Sequence, residues 1–446
     1  MKPQKAKNAR NKRQAPARVK EPVPIEQPIS IEKPIYGGAF LARVEGKAVF
    51  VPLTLPGEQA RIRIVEDKRG YASAEATEII NPSPDRIAPN CPHFAVCGGC
   101  DYQHANYKAQ LRIKQSVLHE TLERGGAGAP QQFDALSANP WTYRNRIRLA
   151  FDTAGNPGYR SRRSHGIIPI AECPIAAPLL VRAAFKITDV LRHVTPTAHP
   201  AELSLFSNGD ETELLAGLHL DRPANIRFDD LYRALANEIP ELKGAEFTTE
   251  DRDRRTPRTL AQSGATSLTY RAAGFDYRVD HGAFFQINRW LVDALVDRVT
   301  ANQNGALAWD LFAGVGLFAR RLAASFAHVV AVESAPSSTA ALAHNLNGTS
   351  ATAIKATTLD FLRRAQRSHR PDLIVVDPPR IGLGAETTSQ LARIAAPALV
   401  YVSCDPATLA RDLRALIASG YTIESITLAD LFPQTFHLET VVHLRR

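Results

Sequence analysis

Five cysteines are spread over the chain, and one of them, Cys404, stands where a nucleophile could act. The apolar, β-branched run 399–402 before it predicts a buried strand that ends close to the cysteine. Ligands of open α/β sheets bind outside the carboxyl ends of the strands, so the thiol would face whatever molecule binds there. The alternative is an inert buried thiol, since free cysteine is among the most buried residue types.

The other four cysteines have the spacing of a metal centre. Three of them form a C-x5-C-x2-C run, and one more is distant in sequence: Cys91, Cys97, Cys100 and Cys173. Three clustered ligands and one distant ligand favour an iron–sulfur cluster of the 4Fe-4S type over zinc, which is typically bound by two matched C-x2-C pairs. His93 and His104 are alternative ligands.

A glycine loop and an acidic residue predict a site for an adenosine cofactor. The sequence predicts a strand at 306–312, a tight loop at 313–316 and a helix after it. Glu333 ends the next strand, where an acidic residue usually binds the ribose hydroxyls. The glycines of a G-x-G-x-x-G pattern, which hold a pyrophosphate, are absent. The pattern therefore favours S-adenosylmethionine over NAD.

Two further carboxylates are expected at the same edge of the sheet. Asp377 follows the buried run 373–376, and Glu439 opens the last predicted strand. In methyltransferase-like sheets the last strand is antiparallel, so its beginning lies beside the ends of the other strands. We therefore expect Glu439 and Asp377 to face the same crevice as Cys404.

Composition predicts a protein of several domains that lacks a membrane segment. The chain has 446 residues, 44% of them hydrophobic, which is more than one ordinary core requires. The net charge is +9, but residues 1–20 hold eight cations and no acid, so the remainder is nearly neutral. Residues 1–28 are predicted to be a disordered basic tail that attracts polyanions or merely aids solubility. Neither a signal peptide nor a long apolar run is present, which predicts a cytoplasmic protein.

The segments between the tail and residue 281 suggest contacts with nucleic acid. Short β-rich runs separated by glycines predict a small antiparallel barrel at 29–84, a fold that often binds single strands. Residues 85–280 read as a central α+β domain. It contains interleaved cations and aromatic residues that could form a phosphate-binding and stacking surface, or the solvated face of an edge strand: Arg144, Arg146, Arg148, Arg160, Arg162, Arg163, Trp141, Tyr143 and Tyr159.

Two sets of motifs resemble known families. The YGG at 36–38 and VFVPLTLPGE at 49–58 resemble the TRAM domain, an RNA-binding β-barrel. The runs GAFFQIN (282–288), DLFAGVG (310–316), DPPR (377–380), SCDP (403–406) and FPQTFHLETV (432–441) resemble the signature series of RNA (uracil-5-)-methyltransferases. With the cysteine set, the resemblance covers nearly everything after residue 30. It implies the iron–sulfur, 23S ribosomal RNA branch of that family.

The resemblance also implies a fold and a role for each site residue. The fold would be an OB-like TRAM barrel, a central iron–sulfur domain and, at 281–446, a Rossmann-like class I methyltransferase domain. Cys404 would be the nucleophile that adds to carbon 6 of uracil, and Glu439 would be the general base. The residues that would contact S-adenosylmethionine are Gln286, Phe312, Glu333 and Asp377. The chain departs from the family pattern at Asp405, where many members have Asn, and at Leu317, where some have Asn.

The resulting prediction is S-adenosylmethionine-dependent formation of 5-methyluridine in 23S ribosomal RNA by a monomeric enzyme. Two alternatives stay open. One is a transfer-RNA uracil-5 methyltransferase. The other is a non-catalytic RNA-binding or ribosome assembly factor that keeps the same fold. The pairing of Cys404 with Glu439 argues against the second, because a protein that only binds RNA needs neither residue.

Overall fold

The computed structural model describes residues 23–130, 133–195, 200–221, 226–250, 257–365 and 370–446. Most of the predicted basic tail, residues 1–22, lies outside these ranges. The chain divides into two compact units: a smaller one, Met1–Ile35 with Ala39–Pro84, and a larger one, Tyr36–Gly38 with Asp85–Arg446. None of the helices within the described ranges is both long enough and apolar enough to cross a membrane.

The smaller unit is a closed five-stranded barrel, as the sequence predicts. Its strands occur in the order β1-β2-β3-β5-β4 around the barrel. Alternate residues such as Phe40, Val49 and Ile62 fill the interior, which is the pattern expected of strands with one buried face. The bounds are β1 Val23–Pro34, β2 Ala39–Val44, β3 Lys47–Pro52, β4 Gln59–Asp67 and β5 Tyr71–Asn81. The first strand begins within the segment predicted as tail.

The first part of the larger unit is built on a seven-stranded, mainly antiparallel sheet with the order β13-β12-β11-β10-β7-β8-β9. Helices α2 and α3 pack on it around Ile147, Leu203 and Phe247. The elements of this part are α1 Tyr107–Arg124, β6 Asp134–Leu136, β7 Arg146–Phe151, β8 Pro157–Arg160, β9 Ile167–Pro169, α2 Pro178–Val194, β10 Pro200–Ser207, β11 Leu214–Leu220, α3 Phe228–Glu238, β12 Leu242–Glu250, β13 Pro257–Gly264, β14 Ser267–Ala272 and β15 Phe275–Asp280.

The second part of the larger unit is an α/β domain around an eight-stranded sheet with the order β18-β17-β16-β19-β20-β22-β21-β6. Its elements are α4 Val292–Thr300, β16 Gly305–Leu311, α5 Leu317–Leu322, β17 Phe326–Glu333, α6 Pro336–Leu346, β18 Ala351–Lys355, α7 Thr358–Arg364, β19 Leu373–Val376, α8 Gly384–Ile394, β20 Ala398–Ser403, α9 Pro406–Ala418, β21 Thr422–Ala429 and β22 Glu439–Arg445. The last strand of the chain, β22, is antiparallel to β20. This confirms the expected topology.

The sheet is buried on both faces, which explains why β19 and β20 read as continuous apolar runs. On one face Val375 and Val400 pack against α4, α5 and α6. On the other face Ile374 and Tyr401 pack against α8, α9 and also α1. The sheet is completed by β6, which pairs in parallel with β21. Both α1 and β6 come from the sequence range predicted as the central domain.

Candidate active site

The strand order brings the predicted nucleophile and the predicted base to one place. In the pairing of β20 with β22, Ser403 lies opposite Thr440. Cys404 follows Ser403 as β20 ends, and Glu439 precedes Thr440 as β22 begins. Glu439 is 5% exposed, and its charge raises the pKa of the Cys404 thiol. The structure therefore places the two residues together, as the topology predicts.

Two neighbouring carboxylates, Asp377 and Glu439, are held in a poorly solvated position. Burial raises the pKa of Asp377 to about 7. Burial also raises the pKa of Glu439 well above its usual range, and the charge of Asp377 raises it further. Two like charges near each other disfavour double ionisation, so this pair holds a proton more readily than isolated carboxylates do.

The Cys404 thiol needs a positive charge nearby to ionise. Burial is the main reason that its pKa is raised to about 12, and the charges of Glu439 and Asp377 add to it. The opposing influence comes from Arg380, which lowers the pKa of both Cys404 and Glu439. Arg380 is therefore the counter-charge of this anionic crevice.

His437 is hydrogen-bonded to Arg380, and the sequence analysis assigned a role to neither residue. Nη2 of Arg380 lies 3.1 Å from Nδ1 of His437. Burial and the charge of Arg380 lower the pKa of His437 to about 4, so the imidazole is neutral at pH 7 and accepts the hydrogen bond. The two residues are 57 positions apart, and only the folded chain shows that they meet.

The glycine loop after β16 has the strained backbone of a ligand-binding loop. Phe312, Gly314 and Gly316 have φ angles of 65°, 55° and 92°. A positive φ at an aromatic residue is a genuine outlier that costs about 1–3 kcal/mol, and such strain clusters at functional sites. At Gly316 the positive φ favours glycine, and a Cβ atom there would also lie 2.9 Å from Cδ1 of Leu342.

Glu333, the residue predicted to bind the ribose, lies against this loop. One oxygen, Oε2, accepts a hydrogen bond from the Gly314 amide at 2.9 Å. The other oxygen, Oε1, accepts from the amides of Ser334 and Ala335, both at 2.6 Å. The structure thus brings Glu333 and the glycine loop together. Its carboxylate also caps the turn that leads into α6.

A fully buried carboxylate below the loop, Asp310, was missed by sequence reasoning as a site residue. Its Oδ2 accepts a hydrogen bond from the Ala319 amide at 2.8 Å, which ties the first turn of α5 to the end of β16. Burial raises the pKa of Asp310 to about 7, with contributions from the charges of Asp377 and Glu333. The sequence does mark Asp310 as an acidic residue inside an otherwise apolar strand. A carboxylate in such a position needs a buried hydrogen-bond partner.

The remaining predicted cofactor contact, Gln286, is 7% exposed. Its backbone carbonyl accepts a hydrogen bond from Nδ2 of Asn145 at 2.8 Å. Nearby in sequence, Phe284 is 61% exposed.

Of the two departures from the family pattern, Asp405 caps α9 by accepting hydrogen bonds from the amides of Ala407 and Thr408. Leu317 is 7% exposed and packs in the core.

The four remaining cysteines line a single pocket: Cys91, Cys97, Cys100 and Cys173. Burial raises the pKa of the first three, that of Cys100 to about 12, and a charge on Cys173 raises each further. Within the described ranges, however, no group of three or more His, Cys, Asp or Glu side chains is arranged to hold a metal ion. The pocket therefore has the right donors for a soft metal centre, without closed coordination geometry.

The alternative metal ligands find other partners. Nε2 of His93 accepts a hydrogen bond from the Ala171 amide at 3.0 Å. His104 is 2% exposed and stacks on Phe94 with ring centroids 5.7 Å apart. The donor chemistry of the pocket thus depends on the cysteines.

The predicted arginine and aromatic surface is wrong in part. Tyr143 is fully buried, and its hydroxyl donates to the Pro433 carbonyl, so this ring cannot stack on a base at the surface. Arg162 pairs with Asp101 in a largely buried position. Arg148 does face solvent, where it pairs with Glu202. The edge-strand alternative fails only at the end of β7, where Ala150 and Phe151 pair with β8, since among the described strands residues 146–149 pair with β10 alone.

Comparisons with known proteins agree with this architecture. The family model for tRNA (uracil-5-)-methyltransferases matches residues 264–446, and the TRAM domain model matches residues 25–77. A 23S rRNA (uracil(1939)-C(5))-methyltransferase, RlmD, of Klebsiella pneumoniae is 33% identical over 92% of this chain and 93% of its own length. An uncharacterized RNA methyltransferase of Streptomyces avermitilis is 32% identical over 92% of this chain and 95% of its own length.

A solved structure shows the same fold at lower identity. The tRNA (uracil-54, C5)-methyltransferase of Pyrococcus abyssi, in complex with S-adenosyl-L-homocysteine, has a TM-score of 0.75 and 22% identity. The match covers 93% of this chain and all of that chain. Together with the identity to full-length relatives, these matches show that the chain belongs to the RNA uracil-5-methyltransferase family and carries an N-terminal TRAM domain.

Proposed function

We propose that the protein methylates carbon 5 of one or more uridines in 23S ribosomal RNA. The observation that carries the proposal is the juxtaposition of Cys404, at the end of β20, with Glu439, at the start of the antiparallel strand β22. A thiol beside a desolvated carboxylate in the ligand crevice of an α/β sheet is the pair that covalent catalysis on a pyrimidine requires. The choice of ribosomal RNA rests on relatives named as 23S rRNA methyltransferases.

The reaction must first make carbon 5 of uracil electron-rich. The Cys404 thiolate adds to carbon 6, and the electrons of the 5,6 double bond move toward oxygen 4, giving an enolate. Bound S-adenosylmethionine would supply the methyl group to carbon 5 as an electrophile and would be released as S-adenosylhomocysteine. The Glu439 carboxylate then takes the proton of carbon 5, the double bond re-forms, and the Cys404 thiolate leaves.

The electrostatics of the crevice suit these two roles. A carboxylate whose pKa is raised is a stronger base than one in water, which helps Glu439 remove the carbon 5 proton. The same burial disfavours the thiolate of Cys404, and the charge of Arg380 offsets part of that penalty. Gln286, Phe312, Glu333 and Asp377 would hold the cofactor at the glycine loop. A base in folded RNA must leave its stack to reach Cys404.

Transfer of a labelled methyl group tests the substrate. Unmodified 23S ribosomal RNA and unmodified transfer RNA are offered separately with labelled S-adenosylmethionine, and the nucleosides are then analysed by mass spectrometry. We expect 5-methyluridine in the ribosomal RNA alone. Label in transfer RNA alone would assign the protein to the transfer-RNA enzymes instead. Binding of both RNAs without any label would favour a non-catalytic assembly factor.

We also propose that Cys91, Cys97, Cys100 and Cys173 hold a 4Fe-4S cluster with a structural role. The four thiols line one pocket, and their soft sulfur donors suit iron–sulfur chemistry. Methyl transfer changes no oxidation state, so the cluster is not required as a redox group. It would connect the 91–100 segment with the segment around Cys173.

Metal analysis of protein purified without oxygen tests this proposal. We expect about four iron and four sulfide per chain and a broad visible absorption band, because thiolate ligands hold such clusters. Cys173→Ser should lose most of the iron, whereas Cys404→Ser, which alters the thiol outside the pocket, should keep it. Stoichiometric zinc without sulfide would contradict the cluster.

A further inference from the structure

The loop that joins β21 to β22, residues 430–438, is held along its backbone by residues outside it. Five consecutive carbonyl oxygens, those of residues 430–434, accept hydrogen bonds from side chains or amides of other segments. These bonds are Asn288 Nδ2 to Asp430 O (3.4 Å) and Leu431 O (3.2 Å), Lys114 Nζ to Phe432 O (2.9 Å), Tyr143 Oη to Pro433 O (3.0 Å), and the amides of Asp101 and Tyr102 to Gln434 O (2.8 and 3.0 Å).

The start of the 430–438 loop is fixed by a fully buried ion pair. The side chains of Lys114 and Asp430 are both 0% exposed, and Nζ of Lys114 lies 2.6 Å from Oδ1 of Asp430. The hydroxyl of Tyr107 donates to the other carboxylate oxygen at 2.9 Å. Buried charges are tolerated only when they are paired and hydrogen-bonded, so this cluster allows one arrangement of the loop.

The middle of the loop adopts a strained conformation that α1 holds in place. Gln434 has a φ of 70°, in the left-handed region that residues other than glycine seldom occupy. Gln110 pairs with it at two points: its Oε1 accepts from the Gln434 amide at 3.0 Å, and its Nε2 donates to Gln434 Oε1 at 2.9 Å. Gln110 is 1% exposed, so water cannot replace these bonds.

The end of the loop leads directly to the reaction site. The amide of Phe436 donates to Oδ2 of Asp101 at 3.3 Å. His437, the partner of Arg380, comes next, and Glu439 begins β22 two residues later. The path of residues 430–438 therefore determines where the carboxylate of Glu439 lies relative to Cys404.

We propose that Gln110, Tyr143 and Asn288, together with the buried Lys114–Asp430 pair, are positioning residues for Glu439. They act through the 430–438 loop and touch neither the uracil nor the cofactor. The proposal rests on the function proposed above, in which Glu439 removes the carbon 5 proton. Catalytic groups must be held to within a fraction of an ångström, and a displacement of 1 Å costs about 100-fold in rate.

Two glutamines of α1 provide a matched pair of variants. Gln110 binds the loop, whereas Gln115, on the same helix, donates to the Phe133 carbonyl at 3.2 Å. We expect Gln110→Leu to lower kcat at least about tenfold, without any rise in the KM for RNA and with unchanged affinity for S-adenosylmethionine. A covalent RNA–protein adduct should accumulate, because proton removal from carbon 5 becomes slow. Gln115→Leu should leave kcat unchanged.

Tyr143→Phe provides a second test that removes a single hydroxyl group. We expect a smaller fall in kcat, again with accumulation of the adduct. An equal loss of kcat in Gln110→Leu and Gln115→Leu, or an unchanged kcat in folded Gln110→Leu and Tyr143→Phe, would overturn the positioning proposal. Glu439→Gln, measured alongside, separates the two proposals. If Glu439→Gln turns over normally, the assignment of Glu439 as the base is wrong. If Glu439→Gln accumulates the adduct but Gln110→Leu and Tyr143→Phe do not, only the positioning proposal is wrong.

Discussion

Cys404→Ala is expected to abolish the formation of 5-methyluridine, with a loss of at least about 10⁴-fold in turnover, because in the proposed mechanism Cys404 is the group that adds to carbon 6. The affinity for S-adenosylmethionine should stay unchanged, since the proposed cofactor site lies at the glycine loop and Glu333, which contact each other. Titration calorimetry measures the binding, and methyl transfer to 23S ribosomal RNA measures the turnover.

The isosteric variant Cys404→Ser controls for packing at this position. A serine hydroxyl is a far weaker nucleophile than a thiolate, so this variant should be as inactive as the alanine variant. Thermal unfolding of both variants should match that of the unmodified protein. Methylation retained by a folded Cys404→Ala variant would exclude the covalent mechanism.

Glu439→Gln should stop the reaction at a later point and trap the RNA on the protein. Without a base for the carbon 5 proton, the methylated adduct cannot release Cys404. The complex is expected as a slow band on denaturing gels, and the double variant Cys404→Ala with Glu439→Gln is the control that should lose it. Normal release of methylated RNA by Glu439→Gln would show that another group is the base.

The pH dependence of adduct formation gives the same variant a second, independent readout. Burial is the main reason that the pKa of Cys404 is raised to about 12, and the charge of Glu439 contributes to that rise. In the unmodified protein the rate should therefore rise with pH across the neutral and mildly alkaline range, as the thiolate fraction grows. Removing the charge lowers the thiol pKa, so the rate profile of Glu439→Gln should move to lower pH. A shift to higher pH would contradict the arrangement of charges around Cys404.

The meeting of Cys404 and Glu439 could be predicted from the sequence because it depends on topology. Once β22 is recognised as antiparallel, the end of β20 and the start of β22 must lie at the same edge of the sheet. The strand-end position of Glu333 follows from the same rule. These predictions used regularities of the backbone, which short sequence patterns encode well.

The side-chain environment could not be predicted in the same way. Arg146 and Tyr143 lie in a run of alternating cations and aromatic residues that is typical of an RNA-binding surface. In the structure Arg146 instead lies over the ring of Phe206, 4.4 Å from its centroid, and Tyr143 is buried against Pro433. Both contacts join segments distant in sequence, and local periodicity carries no information about such partners. The pairing of Arg380 with His437 escaped prediction for the same reason.

The placement of β6 has a consequence for how the chain acquires its fold. Asp134 pairs with Thr427, so β6 can join the sheet only after β21, which is synthesised about 290 residues later. Until then β6 has no neighbouring strand, and before α9 is made α1 has no α9 to pack against. The catalytic sheet is therefore completed only after nearly the whole polypeptide has left the ribosome, and a fragment that starts at residue 281 would expose β21 as an open, aggregation-prone edge.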